Sequence, residues 1–164
     1  MRVMIVSDTH GKHGGLKVAL EREKKDGGVD MLLHLGDSEG DEDYIAALAE
    51  CPTYAVRGNC DYSSDLPDEE IVEIGNHRVF LTHGHVYLVS VDLKRISEAA
   101  KKRGCDTAIF GHTHKPHLDV GLGDQVTLIN PGSISYPRQL GRKGTYIILE
   151  VPEKGDVRYN LKNI

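Results

Sequence analysis

The chain has 164 residues, a length that suits one domain, 1–164, and leaves little room for two. Its formal charge is -5 with neutral histidine and its lysines and arginines form no long basic stripe, so we expect no stable nucleic-acid binding. The first apolar run is too short for a signal peptide, and no apolar run is long enough to cross a membrane. Three widely spaced cysteines suit a reducing compartment. Together these features predict a cytoplasmic protein without membrane contact.

The first half of the chain alternates apolar strands with segments of helical period. A continuous apolar run predicts a strand over Arg2–Ser7, and the pair Gly27-Gly28 ends the helix that we predict over Gly15–Asp26. The next predicted elements are the strand Asp30–Leu35, the helix Asp41–Glu50 and the strand Thr53–Arg57. This alternation is typical of an α/β protein.

The second half is mostly β-strand. It begins with a predicted hairpin, in which Glu70–Ile74 and Arg78–Thr82 flank the turn Gly75-Asn76-His77. A helix over Asp92–Arg103 and a strand over Thr107–Phe110 follow. The remaining predicted strands are Leu118–Val120, Gln125–Ile129, Thr145–Val151 and Asp156–Leu161. We therefore expect two sheets covered by helices.

Each early strand runs directly into a short polar motif. In chain order the motifs are Ser7-Asp8-Thr9-His10, Gly36-Asp37, Gly58-Asn59-Cys60-Asp61, Thr82-His83-Gly84-His85 and Gly111-His112-Thr113-His114. Because ligands of open α/β sheets collect beyond the carboxyl ends of the strands, we expect the motifs to meet there. Residues two apart in an extended chain point the same way, which predicts that Asp8 converges with His10. The same spacing relates His112 to His114.

In this order, the motifs resemble those of the calcineurin-like metallophosphoesterase superfamily, whose pattern reads D-x-H, G-D, G-N-H-[DE], G-H or H-G-H, and G-H-x-H. Asn130-Pro131-Gly132-Ser133 resembles a further segment of the small prokaryotic phosphodiesterase branch. The resemblance implies a four-layer α-β-β-α sandwich with two central mixed sheets. It also implies a phosphoric ester hydrolase, a phosphodiesterase by its short chain, that acts on a small phosphoester substrate. Whether the chain forms homo-oligomers stays open.

The resemblance also carries two sets of metal ligands onto this chain. One divalent ion would be held by Asp8, His10, Asp37 and His114, and the second by Asp37, Asn59, His83 and His112, so that Asp37 bridges the two. Imidazole, carboxylate and amide ligands suit Mn, Fe, Co, Ni or Zn, among which the resemblance favours Mn. A metal-bridging hydroxide is expected to attack phosphorus in line. Two divalent ions, two carboxylates and one hydroxide leave a single positive charge, which matches a phosphodiester monoanion.

The chain departs from the superfamily pattern at Cys60, where the pattern has a histidine that assists the transition state or protonates the leaving group. A thiol with a pKa of about 8.5 is a poor donor for that task. We therefore expect His85, two residues after His83, to take this part, with Asp61 orienting the ligands around it. His85 could equally well be a loop histidine without a catalytic role.

Two alternative functions stay open. A phosphomonoesterase or nucleotidase differs only in its substrate pocket, which the sequence does not reveal. A protein-interaction scaffold, of the kind seen in the retromer subunit related to this superfamily, has the same sandwich with a degenerate site. Because all seven proposed ligand positions carry side chains that can bind a metal, the enzyme is favoured.

The remaining four histidines have simpler explanations. His34 lies inside an apolar strand, which predicts a hydrogen-bonded histidine of the core. His77 is expected in solvent at the tip of the hairpin, and His13 and His117 are expected on surface loops.

Overall fold

The computed structural model describes all 164 residues and contains ten strands and three α-helices. The strands are β1 (Arg2–Val6), β2 (Met31–His34), β3 (Thr53–Ala55), β4 (Glu69–Ile74), β5 (His77–Thr82), β6 (Thr107–Ile109), β7 (Pro116–Asp119), β8 (Thr127–Pro131), β9 (Thr145–Glu150) and β10 (Arg158–Asn163). The helices are α1 (Gly14–Lys25), α2 (Glu42–Ala49) and α3 (Lys94–Lys102). None of these helices has the length and apolar character needed to span a membrane.

The strands form two mixed sheets of five strands each. The first has the order β10-β9-β1-β2-β3 and the second the order β4-β5-β6-β8-β7. Strands β1, β2 and β3 are parallel, as are β5, β6 and β8. The carboxyl ends of the parallel strands of each sheet therefore lie at one edge, where the polar motifs begin.

Alternation along β1 shows how the layers are built. Val3 and Ile5 pack between the two sheets, whereas Met4 and Val6 pack against α1 and α2 on the other face. Both faces of β1 are thus buried, which explains why its sequence is apolar throughout. On the far side of the molecule, α3 packs against the second sheet around Phe80. The result is the expected α-β-β-α arrangement.

The predicted elements are confirmed, with changes at their ends. Helix α3 begins at Lys94 rather than at Asp92, because the Asp92 carboxylate accepts a hydrogen bond of 2.9 Å from the backbone N–H of Lys94. The hairpin turn has two residues, not three, since His77 pairs with Ile74 and belongs to β5. His77 thus lies beside the turn and not in it. Its side chain is 41% exposed, as expected, and its ring lies 3.2 Å from the carboxylate of Asp106.

Candidate metal centre

The polar motifs meet at the common edge of the two sheets. Four potential ligand atoms, each from a different residue, lie within 4.8 Å of one another; they belong to Asp8, His10, Asp37 and His114. Nε2 of His114 is 3.1 Å from Oδ1 of Asp8, and Nε2 of His10 is 3.6 Å from Oδ2 of Asp37. We call these four residues the first group.

A second group adjoins the first and consists of Asp37, Asn59, His83 and His112. Oδ1 of Asn59 lies 3.1 Å from Nε2 of His83 and 2.8 Å from Nδ1 of His112. Nε2 of His83 lies 3.4 Å from Oδ2 of Asp37. The structure thus brings all seven of the residues singled out in the sequence together.

Asp37 belongs to both groups. Its Oδ1 accepts a hydrogen bond of 2.8 Å from the backbone N–H of Cys60, which leaves Oδ2 facing His10 and His83. Burial raises the pKa of Asp37, but the hydrogen bond with His83 and the charge of that ring outweigh burial and hold the pKa well below its usual range. The carboxylate is therefore ionised at neutral pH.

The histidine tautomers are set from outside the cluster. Nδ1 of His83 donates to the carbonyl oxygen of Leu35 at 2.5 Å, and Nδ1 of His114 donates to that of Tyr136 at 2.7 Å. A carbonyl oxygen can only accept, so in the neutral rings Nε2 carries no proton and turns its lone pair into the cluster. Nδ1 of His10 likewise lies 2.7 Å from the carboxylate of Glu39.

When these rings are neutral, the cluster is a set of acceptors that face one another. Oδ1 of Asp8 is buried and has no hydrogen-bond partner, although Nε2 of His114 lies close to it. Buried acceptors without donors cost free energy, and a cation between them removes that cost. Imidazole nitrogen and carboxylate oxygen are ligands of divalent transition metals, so these residues fit a metal ion.

The pKa values of two of the histidines also favour a cation in this cluster. Burial lowers the pKa of His83, but the hydrogen bond with Asp37 and the charge of Asp8 outweigh burial and raise the pKa overall. Burial also lowers the pKa of His114, and the carboxylate of Asp8 beside its Nε2 again reverses the direction. The two carboxylates thus draw positive charge to the place where the ligand atoms meet.

The backbone of the motifs is not extended, which corrects the expectation from spacing. Five of the seven residues have left-handed φ angles between 45° and 68°; they are Asp8, His10, Asp37, His112 and His114. Left-handed backbone is strained for residues other than glycine and clusters at functional sites. Asp8 and His10 do converge, but they do so through turns and not through strand alternation.

Three motif glycines let the strand ends approach one another. Gly36 has a φ angle of 93°, and a Cβ atom at this position would lie 2.7 Å from Nδ1 of His83. A Cβ at Gly58 would collide with the carboxylate of Asp37, and one at Gly111 would collide with Oγ of Ser7. Only glycine fits at these positions, because backbone there lies directly against the ligands.

Comparison with known proteins decides which family this site belongs to. A profile of the calcineurin-like phosphoesterase superfamily domain matches residues 1–154. The chain is 36% identical over 149 residues to the "probable metallophosphoesterase YsnB" of Bacillus subtilis, an alignment that covers 91% of this chain and 83% of YsnB. The chain belongs to the calcineurin-like phosphoesterase superfamily.

Solved structures of similar fold include proteins with two different descriptions. Vps29 of Entamoeba histolytica, solved in complex with Zn²⁺, is 25% identical, with a TM-score of 0.78 and 99% of each chain covered. A structure described as a novel archaeal phosphodiesterase is 26% identical, with a TM-score of 0.71, and the match covers 99% of this chain and 100% of that one. The metallophosphoesterase family and the Asp and His cluster together support a metal-dependent hydrolase.

Asp61 and Cys60 support Asp37 in this superfamily member. The buried carboxylate of Asp61 accepts hydrogen bonds from the backbone N–H groups of Asp37 at 2.8 Å, Gly58 at 2.7 Å and Glu39 at 2.6 Å. Asp61 thereby ties the two motif loops together. Burial, followed by the charge of Asp37, raises the pKa of the Cys60 thiol to about 11, so the thiol keeps its proton at neutral pH.

His85 lies in a single 3-10 turn, His85–Tyr87, beside the second group. The centre of its ring is 5.5 Å from that of His83 and 6.1 Å from that of His112. Its Nδ1 is buried without a hydrogen-bond partner, and burial, followed by the charge of His83, lowers its pKa. The ring is therefore close enough to the second group to contact a substrate bound there.

Several groups that hold the site together were missed in the sequence. Glu39 and the carbonyl oxygens of Leu35 and Tyr136 orient three candidate ligands. A carbonyl oxygen is present at every residue, so no sequence signal marks these two.

Oγ of Ser133 donates to the carbonyl oxygen of Asp8 at 2.8 Å, and the amide of Asn130 donates to that of Gly111 at 2.7 Å. The segment that resembles the small prokaryotic branch thus buttresses the site.

The other histidines show mixed outcomes. His34 is a buried core histidine that accepts from the backbone N–H of Gly36 at 3.3 Å and bonds the hydroxyl of Thr9 at 3.1 Å, as expected. Burial lowers its pKa to about 4. His117 is exposed, as expected, but it lies in strand β7 and not in a loop. His13 is not, because its ring is largely buried and lies 2.8 Å from the carboxylate of Asp41.

Proposed function

We propose that this chain is a phosphodiesterase that binds two divalent transition metals, with Mn preferred. The first group would hold one ion and the second group the other. The observation that carries the proposal is the position of Oδ2 of Asp37, which lies 3.6 Å from Nε2 of His10 and 3.4 Å from Nε2 of His83. A carboxylate oxygen shared between two acceptor groups suits a bridged metal pair.

When bound, the metal pair would supply an activated water for in-line attack at phosphorus and neutralise charge on the phosphoryl oxygens. The residues of this chain would mainly position the metals and the substrate and balance their charges. Asp8 and Asp37 contribute two negative charges, which leaves the loaded site with a small positive surplus that suits a phosphodiester monoanion. Asp61 and the N–H of Cys60 keep Asp37 in place. His85 is the group that we propose to lie beside the leaving group and to donate its proton. Because burial lowers its pKa, this assistance should weaken as the pH rises.

A scaffold stays the second candidate, because the fold is also shared with structures that are described as Vps29 and not as enzymes. Fold alone does not separate an enzyme from a scaffold. The complete set of seven candidate ligands, which lie together at one edge of the sheets, favours the enzyme.

The test is hydrolysis of aryl phosphodiesters, aryl phosphomonoesters and cyclic nucleotides by Mn-supplemented protein. We expect the diesters to react fastest. Asp37→Ala should lower the rate by more than the roughly 10–100-fold cost of losing a partner that only orients a ligand. As a control, Asp65→Ala removes an exposed carboxylate that follows Asp61 in the chain and should keep the wild-type rate.

Three results would overturn the proposal. Equal rates in the wild type and Asp37→Ala would show that Asp37 does not bridge two catalytic metals. A preference for monoesters would make the protein a phosphatase or nucleotidase. A folded protein that neither binds Mn nor hydrolyses any ester would be a scaffold.

A further inference from the structure

A cleft of about 800 Å³ opens directly beside the first group. It is lined by His10 and His114, and also by Tyr136, Arg138 and Arg142. Clefts of roughly 300–1,000 Å³ accommodate whole small-molecule ligands. The cleft therefore has room for a part of the substrate that extends beyond the reacting phosphate.

The charge in and around this cleft is mostly positive. Arg138 and Arg142 are exposed, and neither forms an ion pair. Nζ of Lys12 lies 4.4 Å from the centre of the Tyr136 ring and also has no acidic partner. The acidic side chain that lines the cleft is Glu39, whose Oε1 is engaged by Nδ1 of His10. Clefts with one sign of charge focus the field and attract ligands of the opposite sign.

The two arginines are placed by the backbone that also holds a candidate metal ligand. The carbonyl oxygen of Tyr136 accepts from Nδ1 of His114, and the N–H of Arg138 donates to the carbonyl oxygen of His114 at 3.0 Å. Arg142 has a left-handed φ angle of 45° and closes a turn by donating to the carbonyl oxygen of Gln139 at 3.1 Å. The position of Arg138 is thus coupled to that of His114.

We propose that this cleft binds a second phosphate group of the substrate, so that the physiological substrates are phosphodiesters that carry an additional phosphate. The inference rests on the phosphodiesterase function proposed above and names its substrate class. Guanidinium groups present planar pairs of donors that match phosphate oxygens, which makes two unpaired arginines a better fit to phosphate than to a neutral group. Because the chain as a whole carries a charge of -5, local cations are needed to retain a multiply charged anion.

A matched pair of substrates tests this inference. Thymidine 5′-(4-nitrophenyl phosphate) and its 3′-phosphorylated form share the scissile diester and the leaving group, and differ only by the second phosphate. We expect kcat/KM of the wild type to be about tenfold higher for the 3′-phosphorylated ester, since hydrogen bonds to charged groups contribute about that much. The double variant Arg138→Ala and Arg142→Ala should lose this preference. Arg95→Ala with Arg158→Ala removes two exposed cations elsewhere on the surface and should retain it.

A binding measurement separates this inference from the proposed function. Thymidine 3′,5′-bisphosphate and thymidine 5′-phosphate are titrated calorimetrically into the wild type and both double variants, with and without Mn. The bisphosphate should bind about tenfold more tightly than the monophosphate, except in the Arg138 and Arg142 variant. If neither ester is hydrolysed, the proposed function fails while the titration still decides the inference. Equal affinities in the wild type, or a preference that survives in the Arg138 and Arg142 variant, would overturn it.

Discussion

The backbone N–H of Cys60 donates a hydrogen bond of 2.8 Å to Oδ1 of Asp37. The residue that departs from the superfamily pattern thus supports the shared carboxylate through its main chain, a contact that any side chain other than proline at this position would leave in place. Because Oδ1 is engaged in this way, Oδ2 stays directed at His10 and His83. The side chain at position 60 can therefore change without loss of this contact.

We predict that Cys60→Ala keeps its metal content and stays within a few-fold of the wild-type kcat. The substitution leaves the N–H in place, and the thiol, with a pKa of about 11, gives up no proton at neutral pH. Metal analysis and steady-state hydrolysis of an aryl diester measure both quantities. A loss of about 100-fold or more in kcat, the usual cost of removing a general acid, would show that the thiol takes part in proton transfer.

Asp61→Asn should destabilise the protein and weaken metal binding. The carboxylate accepts from three backbone N–H groups, and an amide would turn its own N–H₂ group toward some of these donors. We expect a loss of about 1–3 kcal/mol in the free energy of unfolding and about 10–100-fold in metal affinity. Urea denaturation and metal titration measure these effects. Asp65→Asn makes the same chemical change at an exposed position and should alter neither; wild-type metal affinity in Asp61→Asn would refute the supporting role.

Gly111→Ala should disrupt the site through contact alone. Gly111 does not have a left-handed φ angle, but an added Cβ would collide with Oγ of Ser7 and lie 2.9 Å from Oδ2 of Asp8. Overpacking of this kind costs about 1–3 kcal/mol, and here it also displaces a candidate ligand. Thermal denaturation and the number of metals bound per chain measure the result. Gly14→Ala is the control, because a Cβ there meets nothing within 4 Å; equal metal content in both variants would contradict the prediction.

A buried carboxylate far from the metal centre is predicted to make stability depend on pH. Glu23 of α1 accepts hydrogen bonds from Tyr146 at 2.6 Å and from Lys162 at 2.8 Å, and pairs with Arg2 at 2.8 Å. Burial raises the pKa of Glu23, but its bonds with Lys162 and Tyr146 outweigh burial and bring the pKa below its ordinary value of 4.5. Because the pKa is lowered on folding, the stabilisation is present above pH 4.5 and is lost as the pH falls further.

Glu23→Gln should therefore lower the free energy of unfolding by about 1–3 kcal/mol at neutral pH, since it removes the charged partner of two half-buried cations, Arg2 and Lys162. The difference from the wild type should narrow as the pH falls below 4.5. Urea denaturation across this pH range measures both effects. Glu21→Gln, on the exposed face of the same helix, should match the wild type throughout. A difference that stays constant with pH would show that ionisation of Glu23 is not its source.

Sequence periodicity was sufficient to predict the layers, because β1 is apolar on both faces and α1 on one. It also placed the motifs at strand ends, where Asp8 and Asp37 do meet His10. It could not predict the left-handed backbone at these residues, since φ angles of this kind depend on tertiary contacts and not on a local pattern. The extended geometry that we inferred for Asp8 and His10 was wrong for this reason.

The supports of the site were harder to predict than the ligands. The carbonyl oxygens of Leu35 and Tyr136 fix two histidine tautomers, yet they leave no trace in the sequence because every residue has one. Glu39 lies in an acidic run that suited the start of a helix equally well. The arginines of the cleft, Arg138 and Arg142, follow no motif, and only the fold brings them beside His114.

Titration of the metal-free protein with Mn²⁺, followed by low-temperature electron paramagnetic resonance, tests most directly whether Asp37 joins two metal ions. We predict two Mn²⁺ per chain and the spectrum of an exchange-coupled pair, because a shared carboxylate holds such ions only about 3.5–4 Å apart. Asp37→Ala should abolish the coupled spectrum, whereas Asp65→Ala should retain it. A single uncoupled Mn²⁺ at saturation, or a coupled pair that persists in Asp37→Ala, would contradict the bridged site.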